Sequence, residues 1–291
     1  MEPIKDYSTY LSRMSIGMYD KCWWIDKIDP QVKYIFDFGC ANGSLFKMIN
    51  AIAPGRFKYI GIDSSKEMSK EFHKQGYSSE EAIFRLWDGF LYFNVITPAS
   101  RHFCNDPEGI KGEESILIMN SVCHELYTYG DKYCMSKIID RFYEFGVHHV
   151  AVRDMFYHDE FAIWENCIDV AGTIEQTILD SPYKDKYLEF CDYWYKKAKR
   201  YWLRDKMKFI RHFLLKYTYN ENWSREMREN YFVNWDAALF NSVEESNYRI
   251  DYTQHFSILN QNKKIARDFG IDSSLLDGQQ THLKILLTRE N

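Results

Sequence analysis

No C-x-x-C pair and no regular spacing occur among the seven cysteines, and seven is an odd number. A disulfide framework is therefore not expected, and the cysteines read as reduced thiols of a cytoplasmic protein. No apolar run approaches the length that spans a bilayer, so no membrane contact is expected. The opening MEPIKDYSTY has no basic segment followed by an apolar one, which argues against a secretory signal. Internal repeats and low-complexity segments are missing too. Positive charge is not in excess: the net charge is −5. That argues against attraction of the whole protein to nucleic acid or an anionic membrane, while leaving room for a local basic patch. No set of metal ligands stands out, and nothing in the sequence sets the oligomeric state.

What is present is an ordinary globular composition, 45% hydrophobic and 27% charged, in 291 residues. Such a length suits one large domain or one domain carrying an insert. Aromatic residues are abundant at 17%, with 22 Tyr, 20 Phe and 8 Trp. They suit a well-packed core or the walls around a planar ligand.

Strand and helix patterns alternate through the first half. Residues 8–28 place Tyr10, Met14, Met18, Cys22 and Ile25 at helical spacing. Buried strands are expected over 32–38, 57–63, 82–88, 115–121 and 148–155, with helices over 44–52, 65–75 and 132–145. This alternation predicts an α/β fold, a Rossmann-like doubly wound and mostly parallel sheet with helices on both faces. Residues 156–248 then read as mostly helical, before 248–259, a short helix over 262–271 and a final strand over 281–290. The expected organisation is a core of 1–155 and 249–291, with a helical insert at 156–248 acting as a lid beside the acceptor site.

The stretch IFDFGCANGSLFKMI, residues 35–49, carries the first chemical signal. An apolar strand ends at Asp37, followed by Gly39, Cys40, Ala41 and Gly43, and a helix opens at Ser44. A strand that runs through small residues into a helix presents bare N–H groups at a helix N-terminus, which favours close approach of a ligand. The next strand ends at Asp63-Ser64, twenty positions beyond Gly43. A carboxylate there can accept both hydroxyls of a ribose bound across the sheet edge. The third strand ends at Asp88-Gly89, where an acid can face an adenine amine. Three acids at three consecutive strand tips favour a cofactor site over ordinary turn chemistry.

The D-x-G-x-x-x-G turn followed by an acid after the second strand resembles the class I S-adenosylmethionine-dependent methyltransferases. The resemblance covers residues 32–155 and the closing strands. It implies that S-adenosyl-L-methionine is the cofactor. It also implies that Gly39, Ala41 and Gly43 pack against its methionine part, while Asp63 holds the ribose and Asp88 faces the adenine. Ala41 stands where the family usually has a glycine. A nicotinamide fingerprint, G-x-G-x-x-G, would need glycines at Gly39, Ala41 and Ser44, and only the first is present.

The fourth strand ends IMNSVCHELYTYG, residues 118–130. By the resemblance this segment faces the transferred methyl and the acceptor, so Asn120 and Ser121 join the cofactor set and His124 and Glu125 line the reacting region. No proline follows Asn120, unlike the motif of the amino-methylating DNA enzymes. Methyl transfer from a sulfonium needs mainly a positioned acceptor and a proton acceptor. His124 is the most suitable base by its ordinary pKa, with Glu125 as its orienting neighbour. Asp154 is a second candidate acid or base and His255 a third; Arg13 or Lys21 could meet the cofactor carboxylate. The opposed structural reading makes His124 and Glu125 the first turn of a helix.

Residues 193–217 carry nine Lys or Arg against one Asp, interleaved with aromatics. Single-stranded nucleic acid binding uses that combination, and so does an amphipathic helix with a basic solvated face. The functional expectation is methyl transfer to an O or N acceptor on a small molecule or RNA. The opposed class is a cofactor-binding partner or sensor subunit that does no chemistry.

Overall fold

The computed structural model describes residues 17–86, 110–130, 134–155, 167–198, 206–231, 247–277 and 280–290. Asp88, Gly89, Arg13 and residues 199–205 of the basic segment lie outside them. Contacts divide the chain into two compact units. The first holds, among the described residues, 17–154, 247–254 and 283–290; the second holds 155, 167–198, 206–231, 255–277 and 280–282. The sequence division kept 249–291 wholly with the core. Residues 255–282 instead cluster with the helical unit, because Ile265, Phe269, Ile271 and Leu276 pack into its interior.

The sheet is built from β1 (Tyr34–Phe38), β2 (Lys58–Asp63), β3 (Ala82–Leu86), β4 (Ser115–Asn120), β5 (His149–Met155), β6 (Tyr248–Phe256) and β7 (His282–Arg289). Their order is β3-β2-β1-β4-β5-β7-β6. The five strands from β3 to β5 are parallel. Strand β7 runs against them, its Arg289 N–H donating to the His148 carbonyl, and β6 runs against β7, with Thr281 N–H donating to the Phe256 carbonyl and Glu290 N–H to that of Asn247. Every residue of β4 and β5 is buried, which explains why both read as continuous rather than alternating apolar runs. Helix α2 (Ser44–Ile52) buries Leu45, Phe46 and Ile49; α3 (Lys66–His73) buries Met68 and Phe72. Ser65 caps α3, its Oγ accepting the Met68 N–H at 3.2 Å. Residues 8–16 of the helix expected over 8–28 lie outside the described residues, and over 17–28 it does not persist. Helix α1 spans Met18–Lys21 only. Beyond it, N–H groups of Cys22, Ile25 and Lys27 bond to carbonyls three residues back, a run of tight turns that buries Cys22, Trp24, Ile25 and Ile28 together. A straight helix would set Cys22 and Trp24 about 200° apart, on opposite faces.

Helices α4 (Cys123–Tyr129) and α5 (Cys134–Phe145) complete the first unit. The second contains α6 (Cys167–Leu179), α7 (Lys184–Ala198), α8 (Lys206–Tyr217), α9 (Trp223–Glu226), α10 (Leu259–Phe269) and α11 (Ser274–Asp277). Its core is aromatic. Tyr187 and Phe213 rings lie 4.9 Å apart, Phe190 and Phe209 4.9 Å, and Tyr217 and Phe269 4.7 Å. Among the described residues, no helix is long and apolar enough to cross a membrane.

Candidate active site

The strand order reverses between β1 and β4, and ligands of open α/β sheets bind beyond the strand C-termini at such a switch point. The turn after β1 has three left-handed residues, Gly39 (φ 77°), Ala41 (φ 49°) and Gly43 (φ 71°). Asp63, at the tip of β2, holds this turn. Its Oδ2 accepts the Ala41 N–H at 2.8 Å and its Oδ1 the Ser65 N–H at 2.9 Å. The smallness of the glycines is explained by the protein itself. A Cβ on Gly39 would lie 2.6 Å from Val122, and one on Gly43 2.4 Å from the Phe72 ring. Cys40 and Ala41 are buried, Ser64 is exposed, and Asn42 Oδ1 accepts the Ser44 N–H.

Asp37 lies inside the sheet rather than at its edge. It is buried and accepts the Tyr59 hydroxyl across β1 and β2. Burial pushes its carboxyl up to about 7, against the opposing pull of the Tyr59 hydrogen bond and of Lys21. The Lys21 amine is drawn down to about 8, by burial first and then by the Arg153 guanidinium, with Asp37 and Asp154 acting the other way.

Asn120 ends β4, one position beyond the Phe38–Met119 pair and opposite Arg153 on β5. Only 7% exposed, it has an Nδ2 with no hydrogen-bond partner. A buried donor left unmade costs about 1–3 kcal/mol, so it is a marked feature of the edge. Ser121 follows with φ 58°, a conformation that non-glycine residues rarely hold and that clusters at ligand sites. The segment after β4 is then fastened by Asp154. Its Oδ2 accepts the N–H groups of Cys123 (2.6 Å) and His124 (3.2 Å), and its Oδ1 lies 2.7 Å from His124 Nδ1. Two candidate bases of the sequence reading are therefore one pair. Asp154 takes the orienting role expected of Glu125, because adjacent strand tips bring it over the first turn of α4. Glu125 is half-buried in that turn, and His255 is half-buried in the other unit.

Asp20, Tyr59, Arg153 and Lys284 were not singled out by the sequence. Asp20 accepts Arg153 Nε at 2.7 Å and the Lys284 amine, which ties α1 to β5 and β7. Burial would raise the Asp20 carboxyl, but the two cations outweigh it and hold it below its ordinary value. The available signal was the charge of Arg153 directly after the apolar run Val150–Val152.

The described part of the basic segment falls on α7 and α8; Lys196, Lys206 and Tyr195 are exposed, whereas several of its aromatics and two of its cations, Arg211 and Lys216, are internal to the second unit. Phe190, Trp194, Phe209 and Phe213 are buried in the core. Arg211 Nη2 donates to Asn262 at 2.8 Å, and the Lys216 amine donates to the Glu226 and Glu229 carbonyls and lies 4.0 Å from the Tyr231 ring centre.

No family model matches the chain, and no curated protein matches it in sequence. Solved structures do match. Geranyl diphosphate C-methyltransferase from Streptomyces coelicolor A3(2), determined with Mg2+, geranyl diphosphate and S-adenosyl-L-homocysteine, aligns with a TM-score of 0.51 at 10% identity. That alignment covers 96% of this chain and 81% of the other. A putative S-adenosylmethionine-dependent methyltransferase from Listeria monocytogenes aligns with a TM-score of 0.46 at 11% identity, over 95% of this chain and 100% of the other. The fold is the Rossmann-like fold of the class I S-adenosylmethionine-dependent methyltransferases.

Proposed function

We propose that the chain binds S-adenosyl-L-methionine and transfers its methyl group to an O or N atom of a small molecule. The observation that carries this reading is the convergence, at the switch point, of the Asp63-held turn, the unpartnered Asn120 amide and the Asp154–His124 pair. The residues fit the cofactor. A carboxylate offers roughly four acceptor sites, and Asp63, half-buried at the tip of β2, is assigned the ribose diol as well as the N–H groups of Ala41 and Ser65. Asn120 Nδ2 supplies a donor that suits an acceptor atom of the ligand. Gly39, Cys40, Ala41, Gly43, Ser64 and Ser121 form the surrounding cradle and Asp37 supports it from within the sheet; Asp88 and Gly89, which lie outside the described residues, are assigned to the set by the family resemblance alone. When bound, the cofactor supplies an activated methyl group. His124 then accepts the acceptor's proton at Nε2, because its Nδ1 faces the Asp154 carboxylate.

Burial of the insert's aromatics favours a small-molecule acceptor over RNA, since rings packed in a core do not stack on bases. Residues 156–248 are assigned the acceptor-side role. A cytoplasmic setting is supported by Cys22, Cys40, Cys123 and Cys191, which are not joined in disulfides.

The test is transfer of labelled methyl from S-adenosylmethionine into a cell extract separated into small molecules, RNA, DNA and protein. Label in the small-molecule fraction with wild type and none with Asp63→Ala supports the reading. Label in RNA moves the acceptor class, and cofactor binding without label in any fraction favours the sensor or partner-subunit class.

A further inference from the structure

The edge of the sheet opposite the candidate active site carries a second cluster. Asp29 lies in the turns before β1, His148 just before β5 and His149 at its start. From His149 to Asp154 is five residues of strand, roughly 17 Å. His149 Nε2 lies 3.1 Å and His148 Nε2 3.2 Å from the same carboxylate oxygen, Asp29 Oδ2. The ligand atoms of all three residues fall within 4.8 Å of one another.

The Asp29 backbone N–H points at His149 Nε2 from 3.5 Å, so Nε2 of the neutral ring presents its lone pair there. Nδ1 then carries the proton, and the Thr288 hydroxyl oxygen, 2.9 Å away, accepts it. Nε2 of His149 and Nε2 of His148 converge on one carboxylate oxygen, Asp29 Oδ2, at 3.1 and 3.2 Å. Two imidazole nitrogens and a carboxylate oxygen in one group are a donor set that suits a transition metal.

We propose that Asp29, His148 and His149 form a site for a zinc-type divalent transition metal, distinct from the candidate active site. A tetrahedral zinc ion with bonds of about 2.0–2.1 Å separates neighbouring ligand atoms by about 3.3 Å, close to the spacings observed here. Two imidazoles and one carboxylate leave the fourth position to water. Thr288 is the outer partner that aims the buried His149 ring. The His148 and Asp29 side chains are 19% and 44% exposed, which gives an ion a path in. A bound ion would tie the segment before β1 to the start of β5.

The experiment titrates Zn2+ into chelator-treated full-length protein by calorimetry and follows Co2+ binding by visible absorption. The comparison is the double variant His148→Ala/Asp29→Asn, whose fold is checked by far-ultraviolet circular dichroism. Wild type should take up one ion per chain at this site, give the intense visible bands of tetrahedral cobalt, and unfold at a higher temperature with zinc than without. The folded double variant should bind this ion weaker by roughly a hundredfold or more, having lost two of three ligands. Absence of stoichiometric binding by wild type overturns the proposal. So does equal affinity in the folded double variant, or cobalt bands that the double variant retains. Because this readout does not depend on methyl transfer, its failure leaves the proposed activity untouched, and the reverse also holds.

Discussion

Both units bury charged side chains, but to different ends. In the second unit several of the buried charges close on one another and on backbone. Lys216 serves two carbonyls, Arg225 bonds Glu229 at 2.9 Å, and Glu226 accepts the Tyr231 hydroxyl. In the first unit they gather where β1, β4 and β5 end. There Asp154 aims a histidine and Asn120 keeps a donor with no partner. Buried charge that satisfies its own surroundings supports a fold. Buried polarity that ends at a strand tip, with strained backbone beside it, is organised toward a ligand.

The contrast breaks most visibly in the second unit. Lys216→Met removes an amine that neutralises a buried acidic neighbourhood and leaves two carbonyls without their donor. A loss of about 3–5 kcal/mol in unfolding free energy is expected by urea denaturation, as for other broken buried ionic networks. A loss below 1 kcal/mol would mean that the amine is not the tie described here.

At the strand tips the larger effect is on rate. His124→Asn should lower methyl transfer by roughly a hundredfold or more while cofactor affinity is retained. Asp154→Asn should follow in the same direction, since it loses the charge facing Nδ1. Equal losses in cofactor affinity and rate would reassign the pair to cofactor binding.

Cofactor affinity sharpens the comparison next. Asp63→Ala should weaken S-adenosylmethionine binding by roughly tenfold or more, the loss of hydrogen bonds to a charged acceptor. Asn120→Leu should do two opposite things: weaken the cofactor and stabilise the free protein, by about 1 kcal/mol or more, because the unsatisfied donor is gone. Calorimetry and urea denaturation on the same preparation measure both, and a destabilised variant would show that Asn120 is a structural residue.

Why Asp63 was legible in the sequence and the Asp154–His124 pair was not follows from how each is positioned. Asp63 closes an apolar run, and the parallel strands are buried along their length, so strand ends are visible as polarity. The helix starts at Ser44 and Lys66 are equally local, set by Gly43 and by the Ser65 cap. Asp154 and His124 are thirty residues apart, and only the pairing of β4 with β5 brings them together. The same holds for Tyr59 on Asp37, for Val122 against Gly39 and for Asn262 on Arg211. Basic residues of 206–217 looked solvated because sequence shows charge without showing its partner.

The smallest effect separates the two units by pH. Asp37 titrates at about 7 when folded, and Glu226 in the second unit at about 8. Burial is the main cause for both; for Glu226 the neighbouring Glu229 adds to it. Each group is ordinarily near 4 in an unfolded chain. Between about pH 4 and the folded value, the native state therefore holds a proton that the unfolded state has released. Stability falls as pH rises through that window and levels off above it. Asp37→Asn should remove the part of the decline that ends near pH 7, and Glu226→Gln the part that extends to about 8. Urea midpoints measured from pH 5 to pH 9 for the three proteins test this. If Asp37→Asn parallels wild type across the whole range, the carboxyl is already ionised in the folded protein. Lys21 and the Tyr59 hydroxyl would then balance its charge fully.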